Sequence, residues 1–264
     1  MPPVLLGIPY DAGSSFQRGP AQAPAAIRAA LHSPSTNGWN EECVLVAGVA
    51  DAGDVVFVSG VDPYDTIQQE VDALFRRGAL PILLGGDHAI SWPILQAVRK
   101  HAPRLTILHL DAHNDLYPDF EGNPRSHASP FARIMEGRLC DRLVQVAMRC
   151  PSGPQQAYIE KYGVEVIPMR AGFDAMLQAV ASLAGPLYLS LDLDVLDPAF
   201  APGISHPEPG GLTTRELITL LQSIPKGSLV AADIVELNPV NDLRDLTARV
   251  AAKCLKEILG RITL

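Results

Sequence analysis

The chain has 264 residues and a formal net charge of −8, with 47% hydrophobic and 19% charged residues, enough apolar material for a sizeable core. Phosphate binding needs clustered Lys and Arg, so this balance argues against a nucleic-acid partner. No apolar run approaches the roughly 18–20 residues that span a membrane. Cys43, Cys140, Cys150 and Cys254 are scattered, with no CxxC spacing, and the start MPPVLLGIPY lacks the basic and long apolar parts of a signal peptide. Both features lead us to expect reduced thiols in a cytoplasmic protein.

In chain order, residues 4–8 (VLLGI) read as a strand, followed by a loop rich in Gly and Ser. Ala23–Leu31 reads as a helix with Pro24 near its start, where a missing N–H costs little. Residues 62–77 form a longer helical pattern, with Ile67, Val71, Leu74 and Phe75 recurring at helical spacing. Leu80–Leu84 reads as a strand and residues 94–100 as part of a helix. Further strands are expected at 105–110, 143–147, 164–168, 187–191 and 229–234, and a C-terminal helix at 247–262. Strands that are apolar throughout and separated by helices indicate an α/β protein with a parallel sheet covered on both faces. No linker, repeat or low-complexity stretch divides the chain, so a single domain over 1–264 is expected.

Four of these strands end in polar groups. PILLGGDHAI puts Asp87 and His88 after a strand and a Gly–Gly turn, and TILHLDAHND puts Asp111, His113 and Asp115 after the next. LYLSLDLDVLDP supplies Asp192, Asp194 and Asp197, and LVAADIVELNP supplies Asp233 and Glu236. Ligands of open parallel sheets bind beyond the carboxyl ends of the strands, and residues i and i+2 of extended chain point the same way. A lone Asp after a strand is usually a cap or turn residue. Three such clusters on separate strands make independent turn roles improbable, and carboxylates crowded together require cations. The expected shell is His88, Asp111, His113, Asp115, Asp192 and Asp194. Carboxylates suit Mn²⁺ or Mg²⁺, and the two imidazoles tilt the choice to Mn²⁺. Six ligands are too many for one ion that keeps an open position, so two ions sharing bridging aspartates are expected. His109 on the apolar part of its strand, Asp197 before a proline, and Asp233 read as supporting groups.

With these residues assembled, the sequence resembles the arginase/agmatinase (ureohydrolase) family, and most of all its plant-type arginase branch. GGDHA, DAHND, SLDLDVLDPAFAPG and DIVELNP match the family's motifs in order and spacing, and the likeness runs from LLGIPYDAGSSFQRGP to the TARVAAK helix. The resemblance implies a three-layer α/β/α sandwich with a largely parallel eight-stranded sheet, and homo-oligomers of trimer or hexamer type. It implies two Mn²⁺ per subunit, one held by the residues matching His88, Asp111, Asp115 and Asp192, the other by those matching Asp111, His113, Asp192 and Asp194. The implied substrate is a small cationic guanidino compound, agmatine or arginine, hydrolysed to urea. Asp115 would relay a proton to the leaving amine, Glu236 would pair with the guanidinium, and His127 would shuttle protons. Guanidinobutyrate, formimidoylglutamate and a catalytically silent metal-binding relative are the alternatives. Tyr117 occupies a position where animal-type arginases carry an Asn that helps hold the α-carboxylate, and His206 is a candidate for the entrance.

Overall fold

The computed structural model describes residues 1–262. Among these residues, eight strands form one sheet: β1 (Pro3–Gly7), β2 (Ala50–Asp54), β3 (Leu80–Leu84), β4 (Thr106–Leu110), β5 (Arg142–Met148), β6 (Glu165–Pro168), β7 (Leu187–Asp192) and β8 (Leu229–Val235). Their order is β2-β1-β3-β8-β7-β4-β5-β6, and every pairing is parallel. The sheet is thus parallel throughout rather than largely so.

Eight helices among the described residues cover it: α1 (Ala23–Leu31), α2 (Pro63–Arg76), α3 (Ser91–His101), α4 (Pro130–Glu136), α5 (Gly153–Tyr162), α6 (Phe173–Ala181), α7 (Thr214–Ser223) and α8 (Leu246–Arg261). Successive strand side chains point to opposite faces, so each strand feeds two cores. On one face Leu80, Ile82 and Leu84 of β3 and Leu189 and Leu191 of β7 pack with Ile27 of α1, Met176 of α6, Leu217 of α7 and Leu255 of α8. On the other, Leu83, Ile107 and Tyr188 pack with Ile67 of α2, Ile94 of α3 and Phe131 of α4. This is the expected α/β/α layering.

Local chemistry sets the helix starts. Asp62 caps α2 by accepting from the Tyr64 N–H, with Pro63 in the first turn. Thr213 and Glu216 close a capping box on α7. β2 was not expected from sequence: ADAGD is exposed throughout and has no apolar pattern. It pairs with β1, and Arg28 of α1 holds it through Asp51 at 2.7 Å and Asp54 at 2.5 Å. The four central strands β3, β8, β7 and β4 end side by side, so the segments after them meet over one stretch of the sheet's carboxyl edge.

Candidate metal centre and active site

All six expected ligands meet there. His88 begins the short 3-10 turn after β3, Asp192 ends β7, Asp194 lies in the turn that follows, and Asp111, His113 and Asp115 follow β4. Gly86 lets the β3 loop pass close to the chain after β1, since a Cβ there would lie 1.7 Å from the Tyr10 carbonyl oxygen. Asp115 and Glu236 both take left-handed backbone conformations, with φ of 49° and 66°. Non-glycine residues held there cost on the order of 1–3 kcal/mol each, a strain that concentrates at working sites.

The His88 ring is oriented from behind. Ser190 donates its hydroxyl proton to Asp233 Oδ1 at 2.7 Å, so in its 2.9 Å contact with His88 Nε2 it accepts. Ser91 and Tyr188 also donate to Asp233, which is therefore a supporting acid, as expected. His88 is then protonated on Nε2, leaving Nδ1 bare. That nitrogen lies 3.1–3.2 Å from carboxylate oxygens of Asp111, Asp115 and Asp192 yet has no aligned hydrogen-bond partner. A lone pair beside three anionic oxygens calls for a cation among them. Burial disfavours a charged imidazole, but the three carboxylates raise the His88 pKa well above its ordinary value, so without a cation it is a proton that occupies Nδ1.

The second half of the cluster is similar. His113 Nδ1 lies 2.8 Å from Asp194 Oδ2 and 3.5 Å from Asp111 Oδ1. Burial with Asp194 and Asp111 nearby raises the Asp192 pKa, and burial with Asp111 pushes Asp194 to about 6. Asp111 goes the other way: burial opposes its ionisation, but His109 and the other imidazoles hold it well below the carboxylate range. Four buried acids with two imidazoles form an oxygen-rich donor set that fits a pair of hard or borderline divalent ions.

His109 supports rather than joins this set. Gln145 Nε2 donates to His109 Nδ1 at 3.0 Å, so the proton sits on Nε2 and is donated to Asp111 Oδ2 at 2.7 Å. Phe131 stacks on the ring at 3.9 Å. Asp197 accepts from the Ala199 and Gly210 N–H groups, a turn role.

Beside the cluster lies a cavity of about 230 Å³ lined by His113, Asp115, Asp192, Asp194, His127 and Glu236 among others. Glu236 Oε1 accepts from the His88 backbone N–H at 2.8 Å and faces His127 Nδ1 at 3.0 Å. Its Oε2 is buried and unpartnered. His127 Nε2 meets Ser15 Oγ at 2.8 Å. Burial disfavours the His127 imidazolium, but Glu236 more than offsets this and lifts its pKa to about 9. Asp87 caps the turn at Ala89, and burial with Glu236 nearby pushes its pKa up to about 7. Tyr117 and His206 line the cavity, as do Ser15, Cys150 and Gln155. Sequence reasoning missed these last three, and also Ser190, Tyr188 and Gln145. Each is a single polar residue in a loop, strand or helix with no pattern that marks it.

The arginase family model matches residues 2–260. The mitochondrial arginase of Medicago truncatula is 42% identical, covering 98% of this chain and 81% of that protein. The agmatinase of Bacillus subtilis (strain 168) is 31% identical over 97% and 90%. Among solved structures, arginase from Medicago truncatula superposes with a TM-score of 0.90 at 40% identity, covering 97% of this chain and 86% of that one. Formimidoylglutamase from Bacillus subtilis subsp. subtilis str. 168 gives 0.88 at 28% identity, over 98% and 86%. The expected cytoplasmic location is corrected by these relatives. Their names include mitochondrial for Medicago truncatula and chloroplastic/mitochondrial for an Arabidopsis thaliana arginase 40% identical over 98% of this chain and 80% of its own length. Scattered thiols argue against a disulfide framework but do not distinguish one reducing compartment from another. With its three strand ends that carry candidate ligands, its sheet and its relatives in agreement over nearly its whole length, this chain belongs to the arginase family of ureohydrolases.

Proposed function

We propose that the protein, as one ureohydrolase domain, is a binuclear manganese hydrolase that cleaves the guanidino group of arginine or agmatine to release urea. The carrying observation is the bare His88 Nδ1 among three carboxylates, next to a cavity where Glu236 presents an unpartnered oxygen. His88, Asp111, Asp115 and Asp192 would hold one ion, and Asp111, His113, Asp192 and Asp194 the other. When bound, such a pair supplies Lewis acidity that makes water a competent nucleophile near neutral pH.

The chain's own groups do the rest. Glu236 Oε1 is fixed by the His88 N–H and His127, so Oε2 is the acceptor for a guanidinium N–H. Asp115, at the cavity wall, takes up the proton lost by water and passes it to the departing amine. His127 holds a proton at neutral pH and links the cavity to Ser15, a route for exchange with the surface loop. Hydrolysis of the guanidino C–N bond then consumes one water and yields urea and an amine.

Arginine and agmatine differ by a carboxylate at the far end. Among the described residues the cavity wall contains no Lys or Arg; its neutral polar groups are Ser15, Tyr117, Gln155 and Ser205. That wall suits the amine-ended agmatine, whereas the 42%-identical relatives are named arginases. Formimidoyl compounds are the second reading, supported by the likeness to a formimidoylglutamase. A catalytically silent relative is disfavoured because every expected ligand position is filled. Val240 and Leu243 in the segment before α8 and Leu246 at its start are exposed, apolar side chains suited to a homo-oligomer of trimer or hexamer type.

The test is urea release with Mn²⁺ present across arginine, agmatine, guanidinobutyrate and guanidinopropionate, with formimidoylglutamate scored by its own product. We expect turnover of arginine or agmatine and a roughly 10- to 100-fold lower kcat/KM in Glu236→Gln, the scale of a lost charge-assisted hydrogen bond. No urea from any guanidino compound, or near-intact turnover by Glu236→Gln, would sink the proposal.

A further inference from the structure

Outside the six-residue cluster, a second group of donors lies at the cavity mouth. His127, His206 and Glu236 each offer a ligand atom, and the three atoms lie within 4.8 Å of one another. The two rings stand 4.6 Å apart and tilted by 39°. Glu236 is 4% exposed, and its Oε2 has no hydrogen-bond partner.

The backbone holds this trio together. Ile204 and Leu237 form a short antiparallel bridge, which sets the loop carrying His206 across from the segment carrying Glu236. Asn238 tightens the clamp, donating its N–H to the Gly203 carbonyl at 2.8 Å and its side-chain amide to Ser205 Oγ at 2.9 Å. Asn241 adds a bond to the Ile204 carbonyl at 3.0 Å. Phe16 lies against the His206 ring at 5.9 Å on the outer side. His206 is therefore anchored against Glu236 and His127 rather than free in solvent.

We propose that His127, His206 and Glu236 form a third metal site, separate from the six-ligand cluster, that takes Zn²⁺ and blocks the cavity when filled. Two imidazoles and one carboxylate are a donor set suited to tetrahedral zinc with an open fourth position. The same set is poor for Mn²⁺, which prefers more oxygen ligands. Tetrahedral zinc with ligand distances of about 2.0–2.2 Å sets ligand atoms roughly 3.3–3.6 Å apart, so a trio within 4.8 Å closes by up to about 1.5 Å. An ion there occupies the Glu236 carboxylate and the His127 ring together. Any cationic substrate that needs Glu236 is then excluded.

The experiment uses the full chain loaded with Mn²⁺. Zn²⁺ is titrated in while bound metals are counted and released Mn²⁺ is followed by its spin-resonance signal. The expected result is one further equivalent of zinc bound with no manganese released. His206→Ala should lose that equivalent while keeping its manganese, which also shows that the variant is folded. His206→Cys, which restores a zinc ligand, should regain it. Zinc inhibition of urea release, measured relative to each variant's own rate, should follow the same order, at least 10-fold weaker in His206→Ala. Zinc entering only by displacing manganese, or a third equivalent unchanged in His206→Ala, would overturn the site. Because metal counting needs no turnover, failure here is separate from failure of the guanidino assignment.

Discussion

At the scale of single residues, the cluster is poised against itself. Asp192 is buried beside Asp194 and Asp111, so its charge is tolerated only with a cation close by. Asp192→Asn removes the cost of burying that carboxylate or of neutralising it with a proton. We expect a higher Tm than wild type in chelator-treated protein, with most of the Mn²⁺-induced rise in Tm abolished. Ligand at about 100 times its Kd stabilises by roughly 2.7 kcal/mol, so the missing rise is readily seen by calorimetry. A metal-free Asp192→Asn protein no more stable than wild type would mean that the carboxylates are not in conflict. The candidate ligands were legible in the sequence because they sit where apolar strands stop, all but His88 at alternate positions. Glu236 also follows an apolar strand, but its role, like that of His127, is assigned through the family motifs alone. The groups that orient the ligands were not legible. Ser190 and Gln145 are single polar residues inside apolar strands, and only the fold shows that they set the tautomers of His88 and His109.

At the scale of elements, the segment after β3 is held by its approach to the chain after β1. Gly86, N-terminal to Asp87, has no room for a methyl group, and the obstacle is the Tyr10 backbone rather than a side chain that could rotate away. Gly86→Ala should destabilise by about 1–3 kcal/mol, the usual cost of overpacking. At roughly 2–4 °C per kcal/mol for a chain near this size, the melt should fall visibly. It should also weaken Mn²⁺ binding, because His88 moves with the loop; an unchanged melt would show that the loop can yield. The apolar strands and the amphipathic α1, α2 and α8 were readable from periodicity. β2 was not, because its five residues are all exposed and its place depends on Arg28 of α1. α5 was not, since Gln155 is its only buried residue. α7 did carry a signal, Thr213 three residues before Glu216, which a reading centred on strands passes over.

At the scale of the whole molecule, the segment before β2 is tied to the last two helices through Glu41. Arg215 of α7 binds its carboxylate at 2.7 Å and Lys253 of α8 lies at 3.3 Å. Arg215, above all, holds the Glu41 pKa down at about 2, against 4.5 ordinarily. The stabilisation is therefore complete above about pH 4.5 and lost as pH falls toward 2. Glu41 is partly exposed, so solvent screening limits the effect to about 1 kcal/mol. Glu41→Gln should melt below wild type at pH 7, and the gap should close near pH 2; a gap independent of pH would rule out the charge pairing as its cause. β8 is the final strand of the described chain, yet it lies between β3 and β7 in the middle of the sheet. A nascent chain still short of Leu229 thus has a split sheet, with His88 on one part and the aspartates on the other. The proposed metal cluster therefore needs β8 in place, so a product cut short of Leu229 should not bind Mn²⁺ as the longer chain does.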